Sequence, residues 1–391
     1  MIHSFNLANS PQLHFGAGKF SNLPAAIKTF GSKVLLITGA RSFPRSSHFP
    51  QLMDQLQAMT VKVEHFTVEK EPAPATIDLA VKKFASYAPD VVVAIGGGSV
   101  LDAGKAISAM LPLNDGVKNY LEGVGKKPAH PGLKIPFIAV PTTSGTGSEA
   151  TKNAVLSELG ENGFKKSLRH NNFVPNIAIL DPALTLSCPP PTTAASGMDA
   201  FTQLLESYLS TSANNITDAL AVEGLKHVES SLIAAYKDGS NLQARSGMAI
   251  ASFLSGVTLA NAGLGLVHGF ASSLGGFFEI PHGVICSSLM AAANKITVRK
   301  LRHDKSNDAA LFKYATIGKL FAGHDNKSTD SYIDFLLSLI ESWSVEMAIP
   351  RLGGYGISAS HFDKVISATD NKNNPVDLRA DEMREVLESA M

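Results

Sequence analysis

The sequence predicts an α/β domain with a Rossmann-like, mostly parallel sheet, followed by an all-α domain. Short apolar runs alternate with amphipathic stretches from residue 33 to about residue 140, whereas long helical patterns dominate after residue 182. The 391 residues also exceed the size, roughly 250 to 300 residues, at which one hydrophobic core usually stops growing. We therefore expect two domains, at 1–182 and 183–391.

The first half of the chain has the pattern of strands that alternate with helices. After each of the first two apolar runs, apolar residues recur at helical spacing, through Met53 and Leu56 and then through Ala80 and Phe84. Strands connected by helices in this order build a parallel sheet covered on both faces. The predicted strands lie at 34–38, 61–66, 91–95 and 135–140.

The second half of the chain has helical patterns and no strand-like runs. Residues 217–236 and 244–262 carry helix-forming residues with apolar positions spaced by about 3.6 residues. The motif CPPPTT at 188–193 predicts a rigid, extended entry into a helix that begins near Ser196, because proline restricts the backbone. We therefore expect only helices after residue 182.

Composition and charge exclude several classes of protein. The 34 Lys and Arg residues balance 34 Asp and Glu residues, and no basic run is present to neutralise nucleic-acid phosphates. The N-terminus lacks the pattern of a secretion signal, and no apolar run has the length of a membrane span. Cys188 and Cys286 lie far apart, which predicts reduced thiols in a cytoplasmic protein.

Two loops rich in small residues predict a phosphate site. Gly96-Gly97-Gly98-Ser99 follows the strand at 91–95 and opens a helix, where backbone N–H groups and the helix dipole attract anions. The loop PTTSGTGSE at 141–149 leaves the next strand at the same sheet edge, where doubly wound sheets bind ligands. A tight strand-to-helix turn would also use glycine. Together the two loops predict a dinucleotide or a sugar phosphate as the ligand.

Four polar residues in the second half form a candidate metal site. Asp199 and Gln203 lie one turn apart on a predicted helix, which also fits a solvated, hydrogen-bonded pair. His268 and His282 occur in glycine-rich apolar segments, where a neutral imidazole is either a satisfied core residue or a metal ligand. Such oxygen and nitrogen donors suit zinc or a similar divalent ion, which polarises an alcohol or carbonyl oxygen.

Six motifs, in this order, resemble the iron-containing alcohol dehydrogenase family: GGGSVLDAGK, PTTSGTGSE, DPALT, SGMDAFTQLLESY, GLVHGFASSLGG and IPHG. The resemblance extends through nearly the whole chain and implies a two-domain architecture like that of dehydroquinate synthase. It implies a nicotinamide dinucleotide on the first domain and a divalent metal in the helical domain. It further implies hydride transfer with a small alcohol or aldehyde in the cleft between them, and a homodimer or larger homo-oligomer.

The resemblance assigns cofactor contacts to residues of the first half. It places the pyrophosphate and the nicotinamide ribose on small and hydroxyl side chains that follow two strands, with a lysine near the ribose. These positions are Gly97, Gly98, Ser99, Asp102, Thr142, Thr143, Ser148 and Lys165.

The end of the first strand bears on the choice between NADP and NAD. Relatives that prefer NAD often have an aspartate there, which accepts hydrogen bonds from the adenosine 2′-hydroxyl. This chain has Gly39, and Arg41 and Ser42 are close enough in sequence to bind a 2′-phosphate. The cofactor is therefore expected to be NADP or NAD, with NADP favoured.

The resemblance assigns the metal to Asp199, Gln203, His268 and His282, of which all but Gln203 are also the expected catalytic residues. The family ordinarily has histidine at the position of Gln203. A glutamine oxygen is a neutral and harder donor than imidazole, which predicts weaker retention of Fe²⁺ or Zn²⁺. Many members also have a histidine where this chain has Ser272, so proton transfer there would use Ser272, water or another side chain.

The expected activity is NAD(P)-dependent alcohol dehydrogenation or aldehyde reduction. The metal would stabilise alkoxide character while hydride passes between a primary or small alcohol and the nicotinamide. One alternative is a metal-independent reductase similar to maleylacetate reductase, and another is a lyase similar to dehydroquinate synthase. A non-catalytic nucleotide-binding module is a further alternative for which the sequence has no positive feature.

Overall fold

The computed structural model describes residues 4–113, 115–126 and 128–391, which form two compact units. The α/β unit comprises Ala8–Glu158 and Lys165–Cys188. The helical unit comprises residues 4–7, Leu159–Phe164 and Pro189–Met391. The chain thus passes into the helical unit at Pro189, a few residues after the boundary that the sequence predicts at 182.

The α/β unit contains a six-stranded parallel sheet with the order β1-β8-β5-β4-β2-β3, and a separate two-stranded sheet of β6 and β7. The four predicted strands correspond to β2, β3, β4 and β5, which confirms the predicted α/β fold. The sequence did not predict β1 and β8, which have four residues each, or β6 and β7, which have six residues each. The strands are β1 Gln12–Phe15, β2 Lys33–Gly39, β3 Lys62–Val68, β4 Val91–Gly96, β5 Phe137–Pro141, β6 Asn153–Glu158, β7 Phe164–Arg169 and β8 Ile177–Leu180.

The connections of the sheet reverse direction between β2 and β4. The chain leaves β2 towards β3 on one side, and it leaves β4 towards β5 on the other. Such a reversal opens a crevice at the carboxyl ends of the two strands, where doubly wound sheets bind ligands. The α-helices among the described residues of the α/β unit are α1 Leu23–Lys28, α2 His48–Ala58, α3 Pro74–Phe84 and α4 Gly98–Met110.

The helical unit has nine α-helices in its described residues and no strand after Pro189, as the sequence predicts. Helix α5 begins at Pro190, so the prediction of an extended entry up to about Ser196 is wrong. Its prolines lie in the first turn, where the missing N–H is not needed and the fixed φ is helical. The helices are α5 Pro190–Leu209, α6 Asn215–Lys237, α7 Leu242–Ala262, α8 Leu266–Phe277, α9 His282–Asp304, α10 Asp308–Ala322, α11 Thr329–Glu346, α12 Phe362–Ser367 and α13 Ala380–Ser389.

Two hydrophobic clusters hold the helical unit together. One surrounds Phe201, which stacks on Phe321 with ring centroids 5.3 Å apart, and the other surrounds Phe270. Both clusters include residues of α9, so this helix is fixed on several sides. No single helix of the described residues has the length and apolarity of a membrane span, although α7 and α8, bent by 97°, meet those criteria as a pair.

A buried lysine attaches the loop after β5 to helix α4. Lys105 is 1% exposed, and its ammonium donates to Ser148 O, Thr151 Oγ1 and Asn153 O at 2.7–2.8 Å and to Ser148 Oγ at 3.1 Å. Burial lowers the pKa of Lys105 to about 8, and the charge of Asp102 opposes this shift. The lysine thereby fixes residues 148–153 against α4.

We predict that Lys105→Met lowers the free energy of unfolding by about 3 kcal/mol, because the buried oxygens lose their donor while the volume is kept. Urea titration followed by circular dichroism measures the change. Lys82→Met, on the exposed side of α3, is the matched control and should change the value by less than about 0.5 kcal/mol. Equal effects of the two substitutions would contradict the anchoring role of Lys105.

Candidate metal and cofactor sites

Four potential ligand atoms come together in the helical unit, from Asp199, His268, His282 and Cys286, and all lie within 4.8 Å of one another. Asp199 Oδ1 is 3.3 Å from His268 Nε2 and 3.8 Å from His282 Nε2. Cys286 Sγ is 3.6 Å from His268 Nε2 and 3.7 Å from His282 Nε2. Three of the four predicted metal ligands therefore lie together, and a thiol that the sequence analysis did not select lies with them.

Three helices position this cluster. Asp199 lies in the middle of α5, where the helix is buried on all sides, and His268 lies in the first turn of α8. His282 is the first residue of α9, and Cys286 follows four residues later on the same face. The ligand atoms are thus supplied by packed helices, which hold side chains more rigidly than loops do.

Glu206 orients His268 through the ring nitrogen Nδ1, on the side of the imidazole opposite to Asp199. Its Oε2 lies 2.7 Å from His268 Nδ1, and its Oε1 accepts from the backbone N–H of Val267 at 2.7 Å. A proton on Nδ1 leaves Nε2, which faces Asp199, with a lone pair for a metal ion. Gly265 leaves room for this contact, because a Cβ there would lie 3.0 Å from Glu206 Oε1. Sequence reasoning missed Glu206, although it lies on α5 at helical spacing from Asp199 and Gln203.

The charges of the cluster depend on one another. Burial would raise the pKa of Asp199, but the charge of His282 and the charge and hydrogen bond of His268 lower it to about 2. Burial would lower the pKa of His268, but the negative groups around the ring, including Glu206, outweigh burial and raise this pKa well above its ordinary value. Burial raises the pKa of Cys286 to about 12. The site therefore holds an ionised carboxylate among buried groups, which attracts a cation.

Gln203 and Ser272 have hydrogen bonds within the helical unit. Gln203 is 1% exposed, and its Oε1 accepts from Ser255 Oγ at 3.4 Å. Ser272 donates its hydroxyl to the backbone carbonyl of His268 at 2.9 Å. Metal ligation by Gln203 and proton transfer by Ser272 both stay predictions.

The donor set fits a divalent transition metal. One carboxylate oxygen and two imidazole nitrogens are ligands of zinc and of iron, and the carboxylate contributes a negative charge. Glu206 supplies the outer hydrogen bond that metal-binding histidines usually make. Asp199, His268 and His282 would hold the ion.

In the α/β unit, the two predicted loops lie against each other at the carboxyl ends of β4 and β5. The backbone N–H of Thr142 donates to Gly96 O at 2.9 Å. A Cβ at Gly97 would lie 3.3 Å from Thr143 Oγ1, and a Cβ at Gly98 would lie 2.6 Å from Thr146 Oγ1. A side chain at Gly98 would thus force Thr146 to shift, whereas one at Gly97 would make a contact that is only tight. The N–H groups at the start of α4 are of the kind that bind phosphate.

Of the other predicted cofactor residues, Ser99 lies in the first turn of α4. Asp102, Ser148 and Lys165 each have a hydrogen-bond or ion-pair partner in the structure. Ser148 donates its hydroxyl to Asp102 Oδ1 at 2.5 Å, and Asp102 Oδ2 accepts from the Val155 N–H at 3.2 Å. Burial raises the pKa of Asp102, and the charge of Lys105 opposes the shift. Lys165 forms an ion pair with Glu71 at 2.7 Å, a partner that the sequence did not predict. The cofactor contacts of these residues stay predictions.

The end of β2 lies beside the glycine turn. Thr38 pairs with Ile95 of β4, and a Cβ at Gly39 would lie 3.6 Å from Val100 Cγ2 of α4. Arg41 and Ser42 follow with exposed side chains. Gly39 therefore lies at the crevice between β2 and β4, and the selection of the cofactor by Gly39, Arg41 and Ser42 stays a prediction.

Two family models together cover almost the whole chain. The model described as iron-containing alcohol dehydrogenase matches residues 10–182, and the model of the C-terminal part of the same family matches residues 193–391. The chain belongs to the iron-containing alcohol dehydrogenase family. It is therefore an oxidoreductase of the NAD(P)-dependent alcohol dehydrogenase type, and the family implies a divalent metal.

Individual members of this family resemble the chain over its full length. Alcohol dehydrogenase 4 of Schizosaccharomyces pombe is 32% identical over 397 residues, which cover 100% of this chain and 88% of the relative. The NADPH-dependent butanol dehydrogenase of Clostridium saccharobutylicum is 29% identical and covers 96% of this chain and 95% of its own. A solved structure of 1,3-propanediol oxidoreductase has a TM-score of 0.87, with 29% identity and 100% coverage of both chains.

We predict that Glu206→Ala lowers the affinity for a divalent metal by about 10-fold to 100-fold, as loss of such outer hydrogen bonds does in other metal sites. Chelator competition with Zn²⁺ measures the affinity. Glu206→Gln keeps an acceptor for His268 Nδ1 and should recover part of the loss.

Glu223→Ala is the matched control, because Glu223 lies exposed on α6 and contacts Lys226. It should leave the zinc affinity unchanged. If Glu206→Ala bound zinc as tightly as Glu223→Ala, Glu206 would have no positioning role.

Proposed function

We propose that this member of the family oxidises primary or small alcohols, or reduces the corresponding aldehydes, by metal-assisted hydride transfer with NADP or NAD. The observation that carries the metal part is the cluster of Asp199, His268 and His282. A bound divalent metal supplies Lewis-acid polarisation of an alcohol or carbonyl oxygen, and the nicotinamide supplies the hydride chemistry.

The roles of this chain's own residues follow from their positions. Asp199, His268 and His282 would hold the metal, and Glu206 keeps Nδ1 of His268 occupied so that Nε2 faces the cluster. The packed helices keep these groups in place, which avoids reorganisation during the reaction.

The preference for NADP is part of the proposal. Gly39 contributes no carboxylate that would repel a 2′-phosphate, and the Arg41 guanidinium is exposed nearby in sequence. Arginine binds phosphate through a planar pair of donors. The similar butanol dehydrogenase is NADPH-dependent by name, which is consistent with this preference.

We predict that His268→Ala removes most of the alcohol dehydrogenase activity together with the bound metal, because the mutation deletes one of the clustered donors. Turnover is followed by NAD(P)H absorbance over a panel of alcohols and aldehydes, and metal content is measured by elemental analysis of the same samples. His227→Ala, a histidine on α6 beside Glu223, is the control and should retain both.

A variant that kept full activity and full metal content would contradict the assignment of His268. Undiminished turnover of the wild-type chain after complete metal removal would instead favour the metal-independent reductase. These two results are separable, because the first concerns one ligand and the second concerns any requirement for metal.

We predict that Gly39→Asp shifts the preference from NADP to NAD by at least about tenfold in kcat/KM, because the carboxylate repels a 2′-phosphate and accepts from a 2′-hydroxyl. Gly39→Ala is the matched control. An added Cβ would meet Val100 Cγ2 at an ordinary 3.6 Å, so both variants should fold. If the ratio of kcat/KM with NADP to kcat/KM with NAD were the same for the wild type and Gly39→Asp, selection of the cofactor at the end of β2 would be contradicted.

A cytoplasmic location and a homo-oligomer stay predictions.

A further inference from the structure

Cys286 contacts both histidines of the candidate metal site, although its sequence context is that of a core residue. The side chain is 0% exposed, and the surrounding hydrophobic cluster includes Ile285 and Leu289. Its Sγ nevertheless lies 3.6 Å and 3.7 Å from the two imidazole Nε2 atoms of His268 and His282. The buried thiol is thus in contact with a nitrogen atom of each of the two histidines that are candidate metal ligands.

The distances agree with a tetrahedral site. Zinc bonds of about 2.3 Å to sulfur and about 2.0 Å to nitrogen place these atoms roughly 3.5 Å apart at a tetrahedral angle, and two nitrogen or oxygen ligands roughly 3.3 Å apart. The Cys286 distances are 3.6 Å and 3.7 Å, and Asp199 Oδ1 lies 3.3 Å from His268 Nε2 and 3.8 Å from His282 Nε2. Four of the six distances between these atoms are thus within about 0.5 Å of the spacing of a tetrahedral ligand set, and all four atoms lie within 4.8 Å of one another.

The composition of the cluster also leaves a place for a fourth donor. The resemblance to the family predicts a histidine at position 203, where this chain has the neutral Gln203. The Gln203 oxygen instead accepts a hydrogen bond from Ser255 at 3.4 Å. A cysteine thiolate supplies the missing donor and a second negative charge, which with Asp199 balances a divalent cation.

We propose that Cys286 Sγ is the fourth metal ligand of this chain, in a site of Asp199, His268, His282 and Cys286 that favours zinc more strongly than the family's usual ligand set does. This inference rests on the metal-dependent function proposed above. Soft thiolate ligands select zinc over harder ions such as Fe²⁺. Zinc sites also expand from four to five ligands, so four protein donors are compatible with a role in substrate binding.

Binding of the metal by Cys286 replaces the S–H bond with a metal–sulfur bond and releases one proton to solvent. No electron is transferred in this step. The thiolate therefore forms with the metal and needs no separate base.

The test uses cobalt as a spectroscopic probe of the complete chain. The purified protein is freed of metal with a chelator, titrated with Co²⁺ under reducing and anaerobic conditions, and examined by absorption spectroscopy. We expect sulfur-to-cobalt charge-transfer absorption in the near ultraviolet together with the visible bands of tetrahedral cobalt. Cys286→Ser should lose the charge-transfer absorption while keeping one bound cobalt, and Cys188→Ser should match the wild type.

Zinc competition against Fe²⁺ gives a second readout that does not depend on activity. Cys286→Ser should lower the preference for zinc over Fe²⁺ by about tenfold or more, because the soft ligand is lost. Gln203→Ala should keep both the charge-transfer absorption and the preference. Cys286→Ala, checked by circular dichroism, replaces the serine variant if that variant does not fold.

The outcomes separate this inference from the proposed function. Cobalt bound by the wild type without charge-transfer absorption would overturn the role of Cys286 and leave the metal-dependent dehydrogenase intact. Charge-transfer absorption that persists in Cys286→Ser would also overturn it. A wild-type chain that binds neither cobalt nor zinc yet retains turnover would overturn the metal-dependent function itself.

Discussion

The carboxylate of Asp199 is the buried charge on which the helical unit's site depends. It is 1% exposed, and an ionised carboxylate removed from water needs compensating groups. His268 and His282 provide them, and they in turn require α8 and α9 to begin close to the middle of α5. The short segments that lead into α8 and α9 therefore determine the geometry of the site, because each sets a histidine in the first turn of its helix. A metal ion would complete the compensation, because it binds all these donors at once.

Close backbone approach and the buried charge of Lys105 together constrain the loops of the α/β unit. The turns after β4 and β5 contact each other so closely that a side chain at Gly98 would meet Thr146. Lys105 fixes the second loop through four oxygen atoms. A phosphate would thus meet backbone N–H groups held in place by buried contacts, which lowers the entropy cost of binding.

The sequence predicted the features that repeat at short range. The strands β2 to β5 and the long helices α6 and α7 have clear apolar periodicity, and their positions were predicted closely. The strands β1 and β8 were missed because four residues are too few for a period. The strands β6 and β7, of six residues each, were missed as well. The start of α5 was placed too late because prolines suggest extended backbone, although they are also well suited to a first helical turn.

The side chains of the site were likewise predictable only where residue type or the family resemblance indicated them, and not where contacts join residues far apart in sequence. Asp199, His268 and His282 could be selected from residue type and from the resemblance, but Glu206 could not, because its partner His268 is 62 residues away and only the packed structure joins them. Cys286 was interpreted as an ordinary reduced thiol for the same reason.

The proposed ligand set accounts for the glutamine at 203 and the cysteine at 286 together. Glutamine in place of the histidine that the resemblance predicts at 203 gives the cluster one imidazole fewer, which alone predicts weaker metal retention. In the site proposed above, a thiol one helical turn after His282 supplies that donor from another helix. The two residues lie on different helices, α5 and α9, and a thiolate in place of an imidazole gives the site a softer donor and one more negative charge. The architecture of the family can therefore be conserved while the chemistry of its metal centre changes.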